Sequence, residues 1–253
     1  MLLDVKGLKK VYKTRFDTNK IEALKNITFS VETGEYVAIM GESGSGKTTL
    51  LNILALLDEP TEGHVTLKGK DLVTMDDSER AAFRRKHLGY VFQDFNLLDT
   101  FSVEDNIMLP LVLAGKTYEE MKKEMMPIVR TLRIDHLIKK FPYEISGGEK
   151  QRAAVARALM TRPLLVLADE PTGALDSHST DELLAYFDKI NRAGQTILMV
   201  THSIKAASFA KRVLFIKDGK IFHQLFSGNR TQQQMYEEIT NTLAVLARGG
   251  TNE

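Results

Sequence analysis

One short segment sets the expectations for this chain: Gly41-Glu42-Ser43-Gly44-Ser45-Gly46-Lys47-Thr48, which matches G-x-x-x-x-G-K-[S/T] at every specified position. Residues 35–40 before it are apolar and β-forming, and residues 49–57 after it have the pattern of a helix. A glycine-rich loop between a strand and a helix binds phosphate, because its backbone N–H groups and the positive end of the helix point at the anion. The segment therefore predicts a nucleoside triphosphate site.

The loop and its neighbour Thr49 form the predicted phosphate-binding set. In this arrangement Lys47 reaches the β- and γ-phosphates, and the hydroxyl of Thr48 binds magnesium. The full set is Gly41, Glu42, Ser43, Gly44, Ser45, Gly46, Lys47, Thr48 and Thr49.

Composition excludes several classes of protein. The 253 residues are 43% apolar and 26% charged, which is ordinary for one large globular domain or two small ones. Lys and Arg number 34 against 33 Asp and Glu, so the charge balance gives no sign of a nucleic-acid partner. No apolar run approaches the roughly 18 residues of a spanning helix, and the first residues do not resemble a signal peptide. The lack of cysteine fits a reducing compartment. We therefore expect a chain that does not insert into a membrane and reaches one only through a partner.

Hydrophobic periodicity predicts a strand-rich first third, a helical region from Ser102 to about Ile138, and an alternation of strands and helices in the last hundred residues. The predicted strands are Leu8–Tyr12, Ile27–Val31, His64–Leu67, Leu88–Phe92, Leu164–Ala168, Thr196–Val200 and Val213–Ile216. The predicted helices are Asp77–Lys86, Thr117–Arg133, Gly147–Met160, Thr180–Arg192, Ile204–Ala210 and Thr231–Arg248. Pro127 predicts a kink or break in its helix, and we expect the last helix to pack on its own domain. The alternation indicates a parallel sheet covered by helices.

Two carboxylates end the apolar run Leu164-Leu165-Val166-Leu167-Ala168-Asp169-Glu170. On a buried strand beside a phosphate loop, Asp169 would hold magnesium, usually through water. Glu170 would then stand at the strand mouth, where a carboxylate can polarise the attacking water. Taken alone, such a run could equally be a surface turn.

A second unusual segment is Ile145-Ser146-Gly147-Gly148-Glu149-Lys150-Gln151-Arg152. Ser146 and Glu149 have the spacing of a capping box, which explains both residues without a ligand. Capping does not explain Gly147 and Gly148, because glycine weakens a helix by about 1 kcal/mol each relative to alanine. We therefore expect a phosphate to approach the backbone here.

This serine-glycine-glycine segment resembles the signature motif of the ATP-binding cassette (ABC) ATPases. Further resemblances to that family follow in its order: Tyr12 to the aromatic residue that stacks on adenine, Gln93 to the Q-loop glutamine, Gly173-Ala174-Leu175-Asp176 to the D-loop, and Thr201-His202 to the switch histidine. Together these marks cover nearly the whole chain. Glu149 departs from the family, which more often has glutamine there, and it adds a charge near the nucleotide.

The resemblance implies roles for these residues toward ATP and Mg²⁺. Gln93 would sense magnesium and the attacking water, and His202 would hold the γ-phosphate, beside Glu170 as the third catalytic residue. Tyr12, with Phe16 as a rival, would stack on adenine, a contact worth roughly 1–3 kcal/mol. The implied magnesium ligands are Thr48, Gln93 and Asp169. The residues that would close on the ATP of a second copy, in an ATP-dependent homodimer, are Ser146, Gly147, Gly148, Glu149 and Asp176.

The implied fold is α/β, the P-loop ABC ATPase fold, with a mostly parallel core sheet, an N-terminal antiparallel β subdomain and a helical subdomain. Within a single domain 1–253, the core and β subdomain would take about 1–92 and 162–225. The helical subdomain would take about 93–161 and a C-terminal helical tail about 226–253.

Other classes of P-loop protein fit less well. A GTPase would carry Asn-Lys-x-Asp downstream of the loop, and a cassette-type DNA-repair ATPase would place a long coiled coil before the signature. A translation factor of the cassette type would carry two phosphate loops. We expect instead the ATP-binding subunit of a transporter, held at the cytoplasmic face of the membrane by a permease on a separate chain.

The residues in these motifs resemble those of the branch that contains lipoprotein-release and macrolide-export ATPases. Within this branch they are most similar to the bacitracin-type antimicrobial-peptide resistance transporters of Gram-positive bacteria. The alternatives are lipoprotein or macrolide export, or a non-transport mechanical ATPase like the partner of a cell-division membrane protein.

The segment after Gln93 is unusually apolar for a loop. One interpretation is a local helical core, and the other is a groove that docks a short helix of the permease. The residues concerned are Phe95, Leu97, Leu98, Phe101, Val103, Ile107, Met108 and Leu109.

Overall fold

The computed structural model of the chain describes residues 1–13 and 20–248, which form two sheets with helices packed around them. The strands are β1 (Leu3–Lys13), β2 (Lys20–Val31), β3 (Tyr36–Met40), β4 (Glu62–Leu67), β5 (Lys70–Asp71), β6 (Leu88–Val91), β7 (Leu165–Asp169), β8 (Thr196–Val200), β9 (Arg212–Lys217) and β10 (Lys220–Phe226). The helices are α1 (Lys47–Leu54), α2 (Asp77–His87), α3 (Val103–Val112), α4 (Tyr118–Thr131), α5 (Gly147–Leu159), α6 (Ser177–Arg192), α7 (Ile204–Ala207) and α8 (Gln232–Arg248). Short 3₁₀ turns cover Asp135–Leu137 and Pro142–Glu144.

The larger sheet has six strands in the order β10-β9-β3-β8-β7-β6. Strands β9, β3, β8, β7 and β6 run parallel, and β10 pairs antiparallel with β9 at one edge. The central strands β3 and β8 are buried at every position, which is typical of a parallel sheet covered on both faces. The predicted mostly parallel core sheet is confirmed.

The smaller sheet is antiparallel, with the order β2-β1-β4-β5, as predicted for the N-terminal part. Successive residues of β3 face opposite sides of the larger sheet. Val37 and Ile39 join a core with α1 and the smaller sheet, whereas Ala38 and Met40 join a core with helices α3 to α8. The larger sheet therefore lies between two hydrophobic cores.

Helix α4 runs unbroken from Tyr118 to Thr131 with Pro127 inside it, so the prediction of a break at that proline is wrong. Met121, Met125 and Val129 bury one face of the helix. Pro127 lies on the exposed side, and so does Lys123, whose carbonyl loses its helical donor at the proline. Water can solvate that carbonyl, which lowers the cost of keeping the helix continuous.

The C-terminal helix α8 belongs to the fold. Met235 and Ile239 are buried in the core, and α8 packs beside α7. This confirms the predicted packing of the tail on its own domain. Strand β10 was not predicted, because most of its side chains are exposed and its sequence lacks a clear alternation. Over residues 1–13 and 20–248, no helix is long and apolar enough to cross a membrane. The residue boundaries of the three predicted parts stay a prediction.

Candidate functional site

The predicted catalytic residues follow the C-terminal ends of neighbouring parallel strands. Gln93 follows β6, the phosphate loop follows β3, Glu170 follows β7 and His202 follows β8. Since these strands end at the same edge of the sheet, the segments after them meet there. They enclose a cavity of about 350 Å³ lined by Ala23, Ser43, Gly44, Gly46, Lys47, Thr48, Thr49, Gln93, Glu170 and His202.

The phosphate loop leads into a helix start that has no side-chain cap. Gly46, the N-cap of α1, has φ 99°, and a Cβ there would lie 2.4 Å from the Ala23 carbonyl oxygen, so only glycine fits. No acidic residue stands in the first turn, and the buried hydroxyl of Ser45 has no hydrogen-bond partner in the part of the chain that the structure describes. The helix start can therefore accept an anion.

Lys47 is almost fully buried in this loop. Its Nζ donates to the carbonyl oxygens of Gly41 and Glu42, each at 2.8 Å. Burial lowers the pKa of Lys47, and the nearby negative charges of Glu170 and Asp169 oppose that shift. A phosphate at the loop would place a further negative charge beside this buried cation and form charge-assisted hydrogen bonds with it.

Asp169 is placed to bind a cation. Burial raises its pKa, the negative charge of Glu170 raises it further, and Tyr90 and Lys47 act in the opposite direction. Its Oδ1 atom is buried and has no hydrogen-bond donor within residues 1–13 and 20–248. An unpaired buried carboxylate oxygen fits a magnesium ion or a water that it holds, since Mg²⁺ prefers oxygen ligands. Thr48 and Gln93 line the adjacent cavity and add oxygens.

Glu170 and His202 form a close pair. The Oε1 atom of Glu170 lies 2.9 Å from Nδ1 of His202, and Oε2 accepts the His202 backbone N–H at 3.2 Å. Glu170 has φ 43°, a left-handed conformation that costs a non-glycine residue about 1–3 kcal/mol. Its N–H donates to the carbonyl of Val200 at 2.9 Å, which helps to hold this conformation. The carboxylate is thereby fixed at the cavity mouth.

The ring of Tyr12 is exposed and held from one side. Its hydroxyl donates to Asp58 Oδ2 at 2.8 Å, and Lys10 Nζ bonds Asp58 Oδ1 at 2.5 Å. The same Lys10 Nζ lies 4.9 Å from the Tyr12 ring centroid. Sequence reasoning missed Asp58 and Lys10, although Lys10 stands on the same strand face as Tyr12. The rival residue Phe16 lies outside the described residues.

The signature residues do not line the cavity of their own chain. Ser146 and Glu149 form the predicted capping box, in which Glu149 Oε2 accepts the Ser146 N–H at 2.7 Å and the Ser146 hydroxyl at 2.9 Å. Burial tends to raise the pKa of Glu149, but these bonds and the charge of Arg152 outweigh it and lower the pKa. Asp176 caps α6 in a similar way, accepting the Ser179 N–H at 3.0 Å.

The two signature glycines have different explanations. A Cβ on Gly148 would lie 2.5 Å from the hydroxyl oxygen of Ser179, so packing against α6 already requires glycine. A Cβ on Gly147 would make only ordinary contacts, the nearest at 3.7 Å from Phe95. Packing therefore accounts for Gly148 but not for Gly147, where the approach of a phosphate stays a prediction.

Two buried amide side chains that sequence reasoning missed hold the loop between β6 and α3, which contains Gln93. Gln151 on α5 donates to the carbonyls of Phe92 at 3.1 Å and Pro171 at 2.9 Å. Asn106 on α3 accepts the Leu98 N–H at 2.8 Å and donates to three carbonyls of residues 98–102. An asparagine four residues after the helix-capping Ser102 was a weak signal for such a clamp.

The apolar segment after Gln93 divides into two parts. Val103, Ile107 and Met108 are buried in the core, whereas Leu98 and Phe101 are exposed by 44% and 40%. A groove opens nearby and is lined by Arg84, Arg85, Leu88, Gly89, Tyr90, Leu109, Pro110, Leu113, Arg157, Ala158 and Thr161. The interpretation of a local core is therefore confirmed for the buried residues. The docking of a permease helix on the exposed residues stays a prediction.

Comparisons with known proteins agree with this geometry. The family model described as ABC transporter matches residues 24–173. The chain is 45% identical over 253 residues to the ABC transporter ATP-binding protein YxdL of Bacillus subtilis, covering 100% of this chain and 96% of that one. It is 44% identical over 246 residues to the bacitracin export ATP-binding protein BceA of Halalkalibacterium halodurans, covering 97% and 96%. A dimeric, post-hydrolysis structure of the ATP-binding cassette MJ0796 with ADP and Pi has a TM-score of 0.82 at 37% identity, covering 89% and 98%.

These matches extend over almost the full length of both chains, so the likeness is not confined to the phosphate loop. The fold and the site define a P-loop ATPase. Within that class, the chain belongs to the ABC transporter family. It is the ATP-binding ATPase subunit of such a transporter.

Proposed function

We propose that the cavity at the strand ends hydrolyses ATP with Glu170 as the general base. The observation that carries this role is the Glu170–His202 pair, 2.9 Å apart, in the same cavity as Lys47. Lys47 binds the β- and γ-phosphates, Glu170 takes a proton from the attacking water, and His202 holds the γ-phosphate. Gln93 orients the water and senses the metal.

Thr48, Gln93 and Asp169 are the residues that would hold Mg²⁺, with Asp169 acting through water. The ion, when bound, neutralises charge on the β- and γ-phosphate oxygens. The unpartnered Oδ1 atom of Asp169 supports this role. Tyr12 presents its exposed ring to the adenine base.

A second copy of the chain completes each site. Ser146, Gly147 and Asp176 do not line the cavity of their own chain, and no contact among the described residues requires Gly147 to be glycine. In a head-to-tail dimer these residues, with Gly148 and Glu149, face the ATP on the phosphate loop of the partner subunit. The dimeric structure of the related cassette MJ0796 supports this arrangement.

The groove beside the Gln93 loop receives the membrane-spanning permease. Its wall carries Leu109 and Leu113 together with the cations Arg84, Arg85 and Arg157, so an amphipathic helix with acidic side chains suits it. The exposed Leu98 and Phe101 extend the apolar surface. Docking there would hold the subunit at the cytoplasmic face of the membrane.

The transported molecule is an antimicrobial peptide of the bacitracin type. The support is the relative named as a bacitracin export ATP-binding protein, which matches this chain almost end to end. In cells that carry the permease, Glu170→Gln should abolish the resistance that the wild-type subunit confers, and unchanged resistance would contradict a role of hydrolysis in export.

Two variants test the assignment of the site. Lys47→Ala removes the fixed cation at the phosphates, so ATP binding should be lost. Glu170→Gln keeps the shape of the side chain but removes the base, so ATP should bind while the kcat for phosphate release falls by roughly 10²–10⁴-fold. Full turnover by Glu170→Gln would show that another group is the base.

A further inference from the structure

The loop that carries Gln93 contains an unfavourable turn. Phe95 has φ 61° and Asn96 has φ 49°, so two consecutive non-glycine residues adopt the left-handed conformation. Such a conformation persists only where the surrounding structure holds it. The turn begins two residues after Gln93, on the same loop between β6 and α3.

One side chain holds this turn. Arg157 on α5 donates from Nη1 to the carbonyl oxygen of Asn96 at 2.6 Å and from Nη2 to that of Phe95 at 2.9 Å. Both acceptors belong to the left-handed residues. A guanidinium supplies two parallel donors in a rigid fork, which a lysine ammonium cannot reproduce. In the described part of the chain, no acidic side chain forms an ion pair with Arg157.

The same helix holds the other side of Gln93. Gln151, also on α5, donates to the carbonyl of Phe92, the residue before Gln93. Helix α5 therefore fixes the backbone both before and after the catalytic glutamine. Its first turn carries the signature residues, so one rigid element connects the two predicted ATP contacts.

We propose that Arg157 is a positioning residue for ATP hydrolysis, which sets Gln93 against the attacking water by fixing the left-handed turn at Phe95 and Asn96. Arg157 is not among the residues that line the cavity of the phosphate loop, so its effect on hydrolysis would pass through Gln93. This inference rests on the proposed role of Gln93 and goes beyond it, because it names what places the glutamine.

A double-mutant cycle tests the inference in the full-length subunit: wild type, Arg157→Lys, Gln93→Ala and the double variant, each assayed for Mg-ATPase kcat and for KM. Arg157→Lys should lower kcat by about 10-fold or more while KM for ATP changes less than about threefold, because the phosphate loop is untouched. In the Gln93→Ala background, the same substitution should change kcat by less than about twofold, since coupled residues are not additive.

Several results would overturn the inference. Unchanged kcat in Arg157→Lys would do so, and so would an equal loss in both backgrounds, which indicates a general structural role. Full activity of Gln93→Ala would instead contradict the proposed function of Gln93. Arg130→Lys on the exposed side of α4 makes the same chemical change at a side chain that forms no hydrogen bond to the described residues, and it should leave kcat unchanged.

A second variant covers the case in which Arg157→Lys does not fold. Asn96→Ala disfavours the same left-handed turn and leaves the guanidinium in place. It should lower kcat when Gln93 is present and have little effect in Gln93→Ala. A normal kcat, or an equal loss in both backgrounds, would overturn the inference.

Discussion

Asp169, proposed above to bind a cation, should do so at the expense of stability. It is half-buried at the end of β7, its Oδ1 atom has no donor among the described residues, and burial raises its pKa. A raised pKa means that the folded chain disfavours the ionised form relative to the unfolded chain. The protonated form of Asp169 is therefore the form that favours folding. Its contribution to stability is lost as pH rises through the folded pKa, and it returns at lower pH.

Asp169→Asn should therefore stabilise the nucleotide-free protein. Removing the buried charge should raise Tm at neutral pH by roughly 2–4 °C, the effect of about 1 kcal/mol in a domain of this size. The gain should shrink as pH falls through the folded pKa of Asp169, because the wild-type carboxyl then also becomes neutral. The variant should also lose Mg-dependent ATPase activity. Thermal melts at two pH values check the prediction, and a lower Tm at neutral pH would contradict it.

We predict that Tyr12 affects the binding of the adenine base and not the binding of the phosphates. Tyr12→Ala should weaken ATP binding by roughly 1–3 kcal/mol, about 5- to 150-fold in Kd, because a stacking ring is lost. Tyr12→Phe keeps the ring and should bind nearly as well as wild type. Inorganic tripolyphosphate has no base, so its affinity should be the same for all three proteins in titration calorimetry. An equal loss for tripolyphosphate would mean that Tyr12 supports the loop and does not stack.

At the scale of elements, the apolar segment after Gln93 has two parts: several side chains of α3 pack in the core, and part of the loop before α3 is exposed. Ile107 is fully buried between helices, whereas Leu98 is 44% exposed. Asn106 bonds to the loop through four hydrogen bonds, two of them to the backbone of Leu98. We therefore expect the buried half of the segment to serve stability and the exposed half to serve the proposed contact with the permease.

Leu98→Ser and Ile107→Ala should separate these two roles. Leu98→Ser should leave Tm within about 2 °C of wild type, since surface substitutions change stability little, and should reduce co-purification with the permease. Ile107→Ala should lower the free energy of unfolding by about 2–5 kcal/mol, because it leaves a cavity in the core. Thermal melts and a pull-down with the permease measure both effects. A large loss of stability in Leu98→Ser would assign Leu98 to the core.

At the scale of the whole molecule, one chain holds only half of each proposed site. The phosphate loop lines the cavity, whereas the signature residues at the start of α5 do not line the cavity of their own chain. A sandwiched ATP would connect two copies and should hold them together as long as it is uncleaved.

Glu170→Gln should therefore dimerise when ATP and magnesium are present and return to monomer without nucleotide. Ser146→Arg in the same background places a bulky cation at the signature and should keep the protein monomeric although ATP still binds. Size-exclusion chromatography with light scattering distinguishes the states. A monomer under all conditions, even with the permease supplied, would rule out the composite site.

The contiguous motifs were predictable from local sequence. Residues 41–48 form a loop whose glycine pattern, strand and helix lie next to each other in the chain, and the carboxylates Asp169 and Glu170 end an apolar strand. The capping box of Ser146 and Glu149 likewise depends only on a spacing of three residues. Gln93 and His202 carry no such local pattern, and only their order relative to these motifs identified them.

Tertiary structure was needed wherever distant segments meet. Gly148 must be glycine because Ser179 of another helix packs against it, and Arg157 matters because its fork reaches two carbonyls about sixty residues earlier in the chain. The sequence of β10 has little alternation and does not predict a strand. It forms one because it pairs with the free edge of β9. These features depend on the packing of helices and strands against each other, and sequence spacing along one element carries no information about that packing.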